Sequence, residues 1–162
     1  MAISKGDMLP EATLLRVGEN GPETVELGAL VKGRKVVIFA LPGAYTGTCT
    51  NAHVPSFIEN KDAFAAKGVE EIICIAVNDP FVMDSWSRHT GGDKAGITFL
   101  ADSEANFTKA MGMEFTAPPA GLIDRSKRYA MIVDDGKVVE LNLDENPGVC
   151  ESSCGSAVLD LL

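Results

Sequence analysis

Hydrophobic positions along this chain fall into two rhythms. Lys35 to Leu41, Glu71 to Val77 and Ile97 to Ala101 are short apolar runs, which predict central strands covered on both faces. Between them lie longer stretches with helical spacing. Thr50 to Lys67 carries apolar Phe57, Ile58, Phe64 and Ala65 and is closed by Gly68. Pro55 falls inside it and is expected to kink it, since the ring displaces a backbone hydrogen bond. Asn78-Asp79-Pro80 is a strong helix start, and that helix runs to about Thr90, before Gly91-Gly92. Ser103 to Met111 is a further helix, capped by Asp102 or Ser103.

The two ends of the chain read as hairpins and loops. Glu11 to Val17 and Thr24 to Leu27 flank the turn cluster Gly18 to Pro22, and Gly28 to Gly33 is a short connection of about one helical turn. Arg128 to Val133 and Lys137 to Leu143 flank Asp134-Asp135-Gly136, a sharp hairpin signal. Gly112 to Ser126, with Pro118, Pro119 and Gly121, reads as a connection without elements of its own, long enough to suggest a functional or interface loop. Glu145 to Gly148 is loop, and Ser153 to Leu162 a terminal helix.

Alternating strands and helices predict parallel pairing at the centre, an antiparallel edge and helices on both faces. That is an α/β, thioredoxin-like fold: a central mixed sheet flanked by helices, with an N-terminal β-hairpin extension, in one domain over residues 1–162. Composition then excludes function classes. A net charge of −9 argues against a nucleic-acid partner and against an anionic membrane surface. No apolar run approaches the ~20 residues that span a bilayer. Met1 to Asp7 lacks the apolar core of a signal peptide, so a cytoplasmic location is expected. Cys49, Cys74, Cys150 and Cys154 are too few and too uneven for a secreted disulfide scaffold, and are expected to be thiols at rest.

The chemistry concentrates in Leu41 to Cys49, a strand end, a Pro42-Gly43 turn and a helix start carrying a cysteine. Amides in a first helical turn lack intrahelical partners, and the helix dipole adds positive potential. A thiol placed there loses its proton more easily, and the thiolate is the nucleophile. Thr46, one turn upstream, has a hydroxyl that can accept one hydrogen bond and donate another. A buried structural cysteine is the plainer alternative, but this combination is uncommon by chance.

Pro42, Thr46 and Cys49 match the Pro-x-x-x-Thr-x-x-Cys motif of peroxiredoxins. His53, Val54, Pro55 and Phe57, with Val77-Asn78-Asp79, Trp86, Leu100-Ala101-Asp102 and Arg128-Tyr129, resemble the type II, peroxiredoxin-5-like branch over nearly the whole chain. Gly47 departs from it, standing where many relatives have proline. The resemblance implies a thiol peroxidase. Cys49 attacks a hydroperoxide and becomes a sulfenic acid, Thr46 and the turn amides bond the peroxide, and Arg128 supplies a cation. Arg125 is the alternative cation, and Lys127 is expected to be solvated. Gly47, Thr48 and His53 are candidates for substrate contact, although His53 could equally be a satisfied helix histidine. No cofactor and no metal is implied, and a homodimer through loops around the site is expected.

The sulfenic acid must be resolved by a thiol. Glutathione or glutaredoxin is expected to resolve Cys49 directly from outside, with thioredoxin the other external reductant that the resemblance allows. Among Cys74, Cys150 and Cys154, Cys150 is the best internal candidate and Cys74 is hidden in a strand. Two rivals differ in class. Cys49, His53, Cys150 and Cys154 could form a zinc set, and the fold could bind partners without turnover. Phe81 and Trp86 read as core, His89 as surface, and Glu70-Glu71 as solvated. Phe81, Met113 and Phe115 could also favour alkyl groups on the peroxide.

Overall fold

A computed structural model describes all 162 residues. In chain order the elements are β1 (Thr13–Gly18), β2 (Gly21–Glu26), α1 (Leu27–Val31), β3 (Lys35–Ala40), α2 (Val54–Ala66), β4 (Glu71–Ala76), α3 (Pro80–Thr90), β5 (Thr98–Ala101), α4 (Asn106–Ala110), β6 (Glu114–Ala117), β7 (Leu122–Ser126), β8 (Tyr129–Asp134), β9 (Lys137–Leu143) and α5 (Gly155–Leu159). One seven-stranded sheet has the order β2-β1-β5-β4-β3-β8-β9. Strands β3, β4 and β5 pair in parallel, and β8 and β9 continue antiparallel. The N-terminal hairpin extends this sheet through β1, where Leu15 faces Ala101. The fold is the thioredoxin-like mixed sheet that the pattern predicts.

The continuous apolar runs follow from cover on both faces. Along β3, Val37 and Phe39 face a core shared with Phe57 and Phe64 of α2, Met83 and Trp86 of α3 and Val158 of α5. Val36, Ile38 and Ala40 alternate to the other face, against Leu27 and Val31 of α1 and Phe107 of α4. Asp79 caps α3 by accepting from the Val82 amide, and Gly91 closes it in the left-handed conformation.

Several elements differ from expectation. Gly112 to Ser126 is not structureless: β6 and β7 form an antiparallel ribbon around a 3₁₀ turn at Pro118–Ala120. The helix after β5 is only α4, because Asp102 spends its buried carboxylate on the amides of Phe107 (3.1 Å) and Thr108 (2.8 Å), and the chain between them is turn. Pro55 does not kink a long helix. The chain instead widens to a π turn over Cys49–His53, with the Val54 amide donating to the Cys49 carbonyl, and Pro55 then sits in the first turn of α2, where no N–H is needed. The terminal helix is only α5. Phe81 is exposed, and Glu71 is no free surface charge: it pairs with Arg34 (2.8 Å) and accepts from Thr98 (2.7 Å).

Helix α5 meets α2 backbone to backbone. A Cβ on Gly155 would collide with the Ser56 carbonyl oxygen and lie 2.7 Å from its carbon, and the Gly155 amide donates to Ser56 Oγ (2.8 Å). Gly155→Ala should therefore lower stability by ~1–3 kcal/mol. The urea midpoint measures this, and an unchanged midpoint would show that the two helices can part without cost.

Candidate active site

Strand β3 ends at Ala40, and the chain turns sharply before a helical turn opens at Gly47. The turn is pinned from three sides. The Ala44 amide donates to Asn78 Oδ1 (2.9 Å), and Arg125 Nη1 on β7 donates to the Pro42 carbonyl (3.0 Å). Tyr45 adopts a left-handed backbone (φ 65°), which costs about 1–2 kcal/mol for a non-glycine residue. Its hydroxyl lies 2.6 Å from Ser85 Oγ and its ring packs on His89, contacts that hold it there. Thr46 Oγ1 donates to the Gly43 carbonyl (2.8 Å). With its proton so committed, this oxygen is left as an acceptor toward the site.

Cys49 is fully buried at the start of the π turn. Arg128, immediately before β8, is buried too and extends its guanidinium across it. Nη2 donates to Cys49 Sγ (3.1 Å), Nη1 meets His53 Nδ1 (2.9 Å) and Nε donates to the Pro147 carbonyl (3.0 Å). None of the five ion pairs in the molecule involves Arg128. A buried cation without a counter-charge is costly, so its nearest sulfur is where negative charge is welcome.

His53 has its second nitrogen, Nε2, 3.0 Å from the Ser153 carbonyl. A carbonyl only accepts and a guanidinium only donates, so Nε2 carries the proton and Nδ1 is the acceptor. The electrostatics agree: burial first, then the Arg128 charge, lower His53 to about 3. Behind Ser153 stands Asp144. It accepts from the amides of Glu151 (3.2 Å), Ser152 (2.8 Å) and Ser153 (3.3 Å) and from both serine hydroxyls. Burial pushes its carboxyl up, but these hydrogen bonds outweigh it and hold the group below the usual carboxylate value.

A cavity of about 310 Å³ opens over this centre. Pro42, Thr46, Gly47 and Thr48 form one wall, Arg128 with Pro147 and Gly148 another, and Phe115, Ala117 and Leu122 of the β6–β7 ribbon an apolar third. Thus Pro42, Thr46, Cys49 and Arg128 converge as the sequence suggests, and Arg125 is a second cation that braces the turn. Of the three aromatic and methionine candidates for alkyl contact, only Phe115 lines the cavity; Met113 is core.

Other expectations need correction. His53 is no substrate contact, since it is buried with both ring nitrogens engaged. Gly47 and Thr48 do line the cavity, and the Thr48 hydroxyl donates to the Gly148 carbonyl (2.7 Å), tying the 147–148 loop to the site while its oxygen stays an acceptor. Cys150 and Cys154 are not resting thiols: they are joined to each other, with Cα atoms 5.5 Å apart, while Cys49 and Cys74 are free. That bond and the Arg128–His53 contact take apart the supposed zinc set. Cys74 is sealed in β4, where burial and then neighbouring Cys49 push its thiol well up. Sequence reasoning missed Asp144, Ser153 and Pro147. Two of them act through backbone carbonyls, which any residue supplies, so no residue type could have marked them.

The profile of the redoxin family matches residues 4–158. Among curated proteins, Peroxiredoxin-2B of Arabidopsis thaliana is 41% identical over 143 residues, 88% of each chain. Peroxiredoxin-2E-2, chloroplastic, of Oryza sativa subsp. japonica is 43% identical over 155 residues, 93% of this chain and 69% of its own length. Among solved structures, reduced Prx3 from Vibrio vulnificus in complex with hydrogen peroxide is 41% identical, covers 98% of both chains and has a TM-score of 0.91. Peroxiredoxin 5 from Alvinella pompejana is 31% identical, with 97% and 96% covered and a TM-score of 0.84. Matched by the redoxin family over residues 4–158 and by these peroxiredoxins over most of its length, the chain belongs to the redoxin family as a peroxiredoxin, a thiol peroxidase.

Proposed function

We propose that Cys49 is the peroxidatic nucleophile, that Arg128 and Thr46 position and polarise the peroxide, and that both hydrogen peroxide and organic hydroperoxides are substrates. The observation that carries this is the Arg128 Nη2–Cys49 Sγ contact of 3.1 Å between two fully enclosed side chains beneath an open cavity. The Cys49 thiolate attacks the terminal oxygen of R–O–O–H. The S–O bond forms, the O–O bond breaks, the hydrogen stays on the transferred oxygen, and the product is Cys49–S–OH with RO⁻ leaving to take a proton from water. Arg128 lies beside the sulfur from which negative charge departs and can follow it onto the peroxide oxygens. Thr46 Oγ1, an acceptor, receives the O–H of the peroxide and so orients it. The apolar wall of Phe115, Ala117 and Leu122 suits an alkyl R group.

The reductant on this reading is a glutathione/glutaredoxin or thioredoxin type of thiol, in a cytoplasmic setting. A homodimer is part of the reading. Tyr45 and Phe81 are large exposed apolar side chains, and Tyr45 reaches Ser85 one turn along α3 from Phe81, a surface that a second copy would cover.

Each assigned role carries an expected outcome. In stopped-flow peroxide reduction, Cys49→Ser should abolish activity. Arg128→Ala should slow the attack by ~10²–10³ even at high pH, where the thiol is ionised without help, and Arg125→Ala should cost less. Thr46→Val should slow it without unfolding the protein; a wild-type rate removes Thr46 from the site. Phe115→Ala should depress kcat/KM for tert-butyl hydroperoxide more than for hydrogen peroxide, and an equal loss for both would refute the alkyl wall.

A last outcome concerns acid. Unfolded His53 binds a proton below its ordinary value of 6.5, and folded His53 only below about 3. Between these values the unfolded state holds more protons, so stability falls as pH falls, by up to about 1.4 kcal/mol per pH unit from this group. His53→Gln should flatten that slope. Urea unfolding of both proteins at several pH values across the window reads the difference, and parallel slopes would mean that His53 does not stay neutral.

A further inference from the structure

Cys150 and Cys154 take no part in peroxide attack, yet they stand on the loop that walls the site. They are bonded to each other in the same structure in which Cys49 is a free thiol. Both are partly open to solvent, whereas Cys49 is fully buried. Their loop is moored to the residues around Cys49 at three points. The Pro147 carbonyl accepts from Arg128, the Gly148 carbonyl from Thr48 beside Cys49, and the Ser153 carbonyl from His53. Cys150 follows Gly148 by two residues, a reach of about 7 Å of chain. Residues 144–150 belong to no helix or strand, so this reach can be redirected without melting an element.

We propose that Cys150 and Cys154 are a second redox pair that takes the oxidising equivalent off Cys49, so that the external thiol reductant acts on their disulfide. The proposal rests on Cys49 being the peroxidatic residue. Starting from the dithiol, the Cys150 sulfur attacks the sulfur of Cys49–S–OH. The S–S bond forms, the S–O bond breaks, and the hydroxide leaves as water with the Cys150 proton. The Cys154 sulfur then attacks Cys150, forming the Cys150–Cys154 bond and releasing Cys49, which recovers the Cys154 proton. The dithiol has given two electrons, the sulfenic acid has returned to thiol, and one water has formed. The end state is the one in this structure. A thioredoxin-like dithiol or glutathione then reduces a bond that is open to solvent, while the buried sulfenic acid is cleared before a second peroxide can drive it to the sulfinic acid.

The test starts from fully reduced protein, adds one equivalent of hydrogen peroxide without external thiol, and maps cysteines by alkylation, dimedone labelling and mass spectrometry. In the wild-type chain Cys49 should recover as thiol with loss of the 150 and 154 thiols into one disulfide. Cys154→Ser should accumulate a Cys49–Cys150 bond. Cys150→Ser should leave Cys49 as a dimedone-labelled sulfenic acid. A wild-type Cys49 that keeps the label while thiols persist at 150 and 154 overturns the proposal. So does a Cys49→Ser chain whose dithiol oxidises as fast as the wild type's. With thioredoxin and its reductase, the Cys150→Ser/Cys154→Ser chain should lose steady-state turnover. Unchanged turnover there defeats the second pair and leaves Cys49 as peroxidatic, whereas absence of dimedone label at Cys49 in every variant brings down both.

Discussion

A guanidinium buried without a carboxylate governs this molecule. Arg128 is enclosed between β8, the π turn and the 147–148 loop, and its donors are met by a sulfur, an imidazole nitrogen and a carbonyl, with no carboxylate among them. Had an acidic side chain reached the fork, the pair would have satisfied itself and left the sulfur outside its field. The lack of one keeps the positive charge available to a thiolate and then to an oxygen that is gaining charge. The neighbouring histidine must therefore be neutral, because two cations 2.9 Å apart in a dry interior repel strongly. His53 is kept so by its burial and by Arg128 itself.

The matching negative charge is set one layer back. Asp144 is held off from Arg128 by the amides and hydroxyls of residues 151–153, which bind its carboxylate and in doing so fix the direction of the Ser153 carbonyl. That carbonyl fixes the His53 tautomer, and His53 fixes the guanidinium. Hydrogen bonds in such a series polarise one another, so the whole row behaves as one rigid unit rather than as separate pairs. The main-chain link from the Asp144 amide to the Arg128 carbonyl (3.0 Å) closes the ring.

What could be read in advance follows the same physics. Central strands, the Asp79 cap and the Pro42–Cys49 turn depend on local residue type and spacing, and these are legible. Arg128 and Arg125 could not be separated by spacing, because they flank one short stretch. Register separates them: Tyr129 lies opposite Ala40, so Arg128 arrives where β3 delivers the cysteine turn, while Arg125 opposes Phe115 on the outer ribbon. That ribbon itself was hidden by Pro118-Pro119, which reads as loop although the flanking residues alternate. The Asp144 anchoring and the Cys150–Cys154 pairing join residues through loop geometry, and a four-residue spacing of cysteines says nothing about which sulfur each will meet.

Proton accounting favours electrostatics over acid catalysis on the proposed reading. Thr46 has given its only proton to the Gly43 carbonyl, and His53 has no free nitrogen and a proton engaged with Ser153. Neither can protonate the departing oxygen. Arg128 does not release protons at any working pH. The leaving oxygen therefore departs as an anion, held by a charge that was in place before the peroxide entered, and is neutralised by water at the open mouth of the cavity. An enzyme so built needs no general acid in its site, which is why the one histidine there can be spent on holding the arginine.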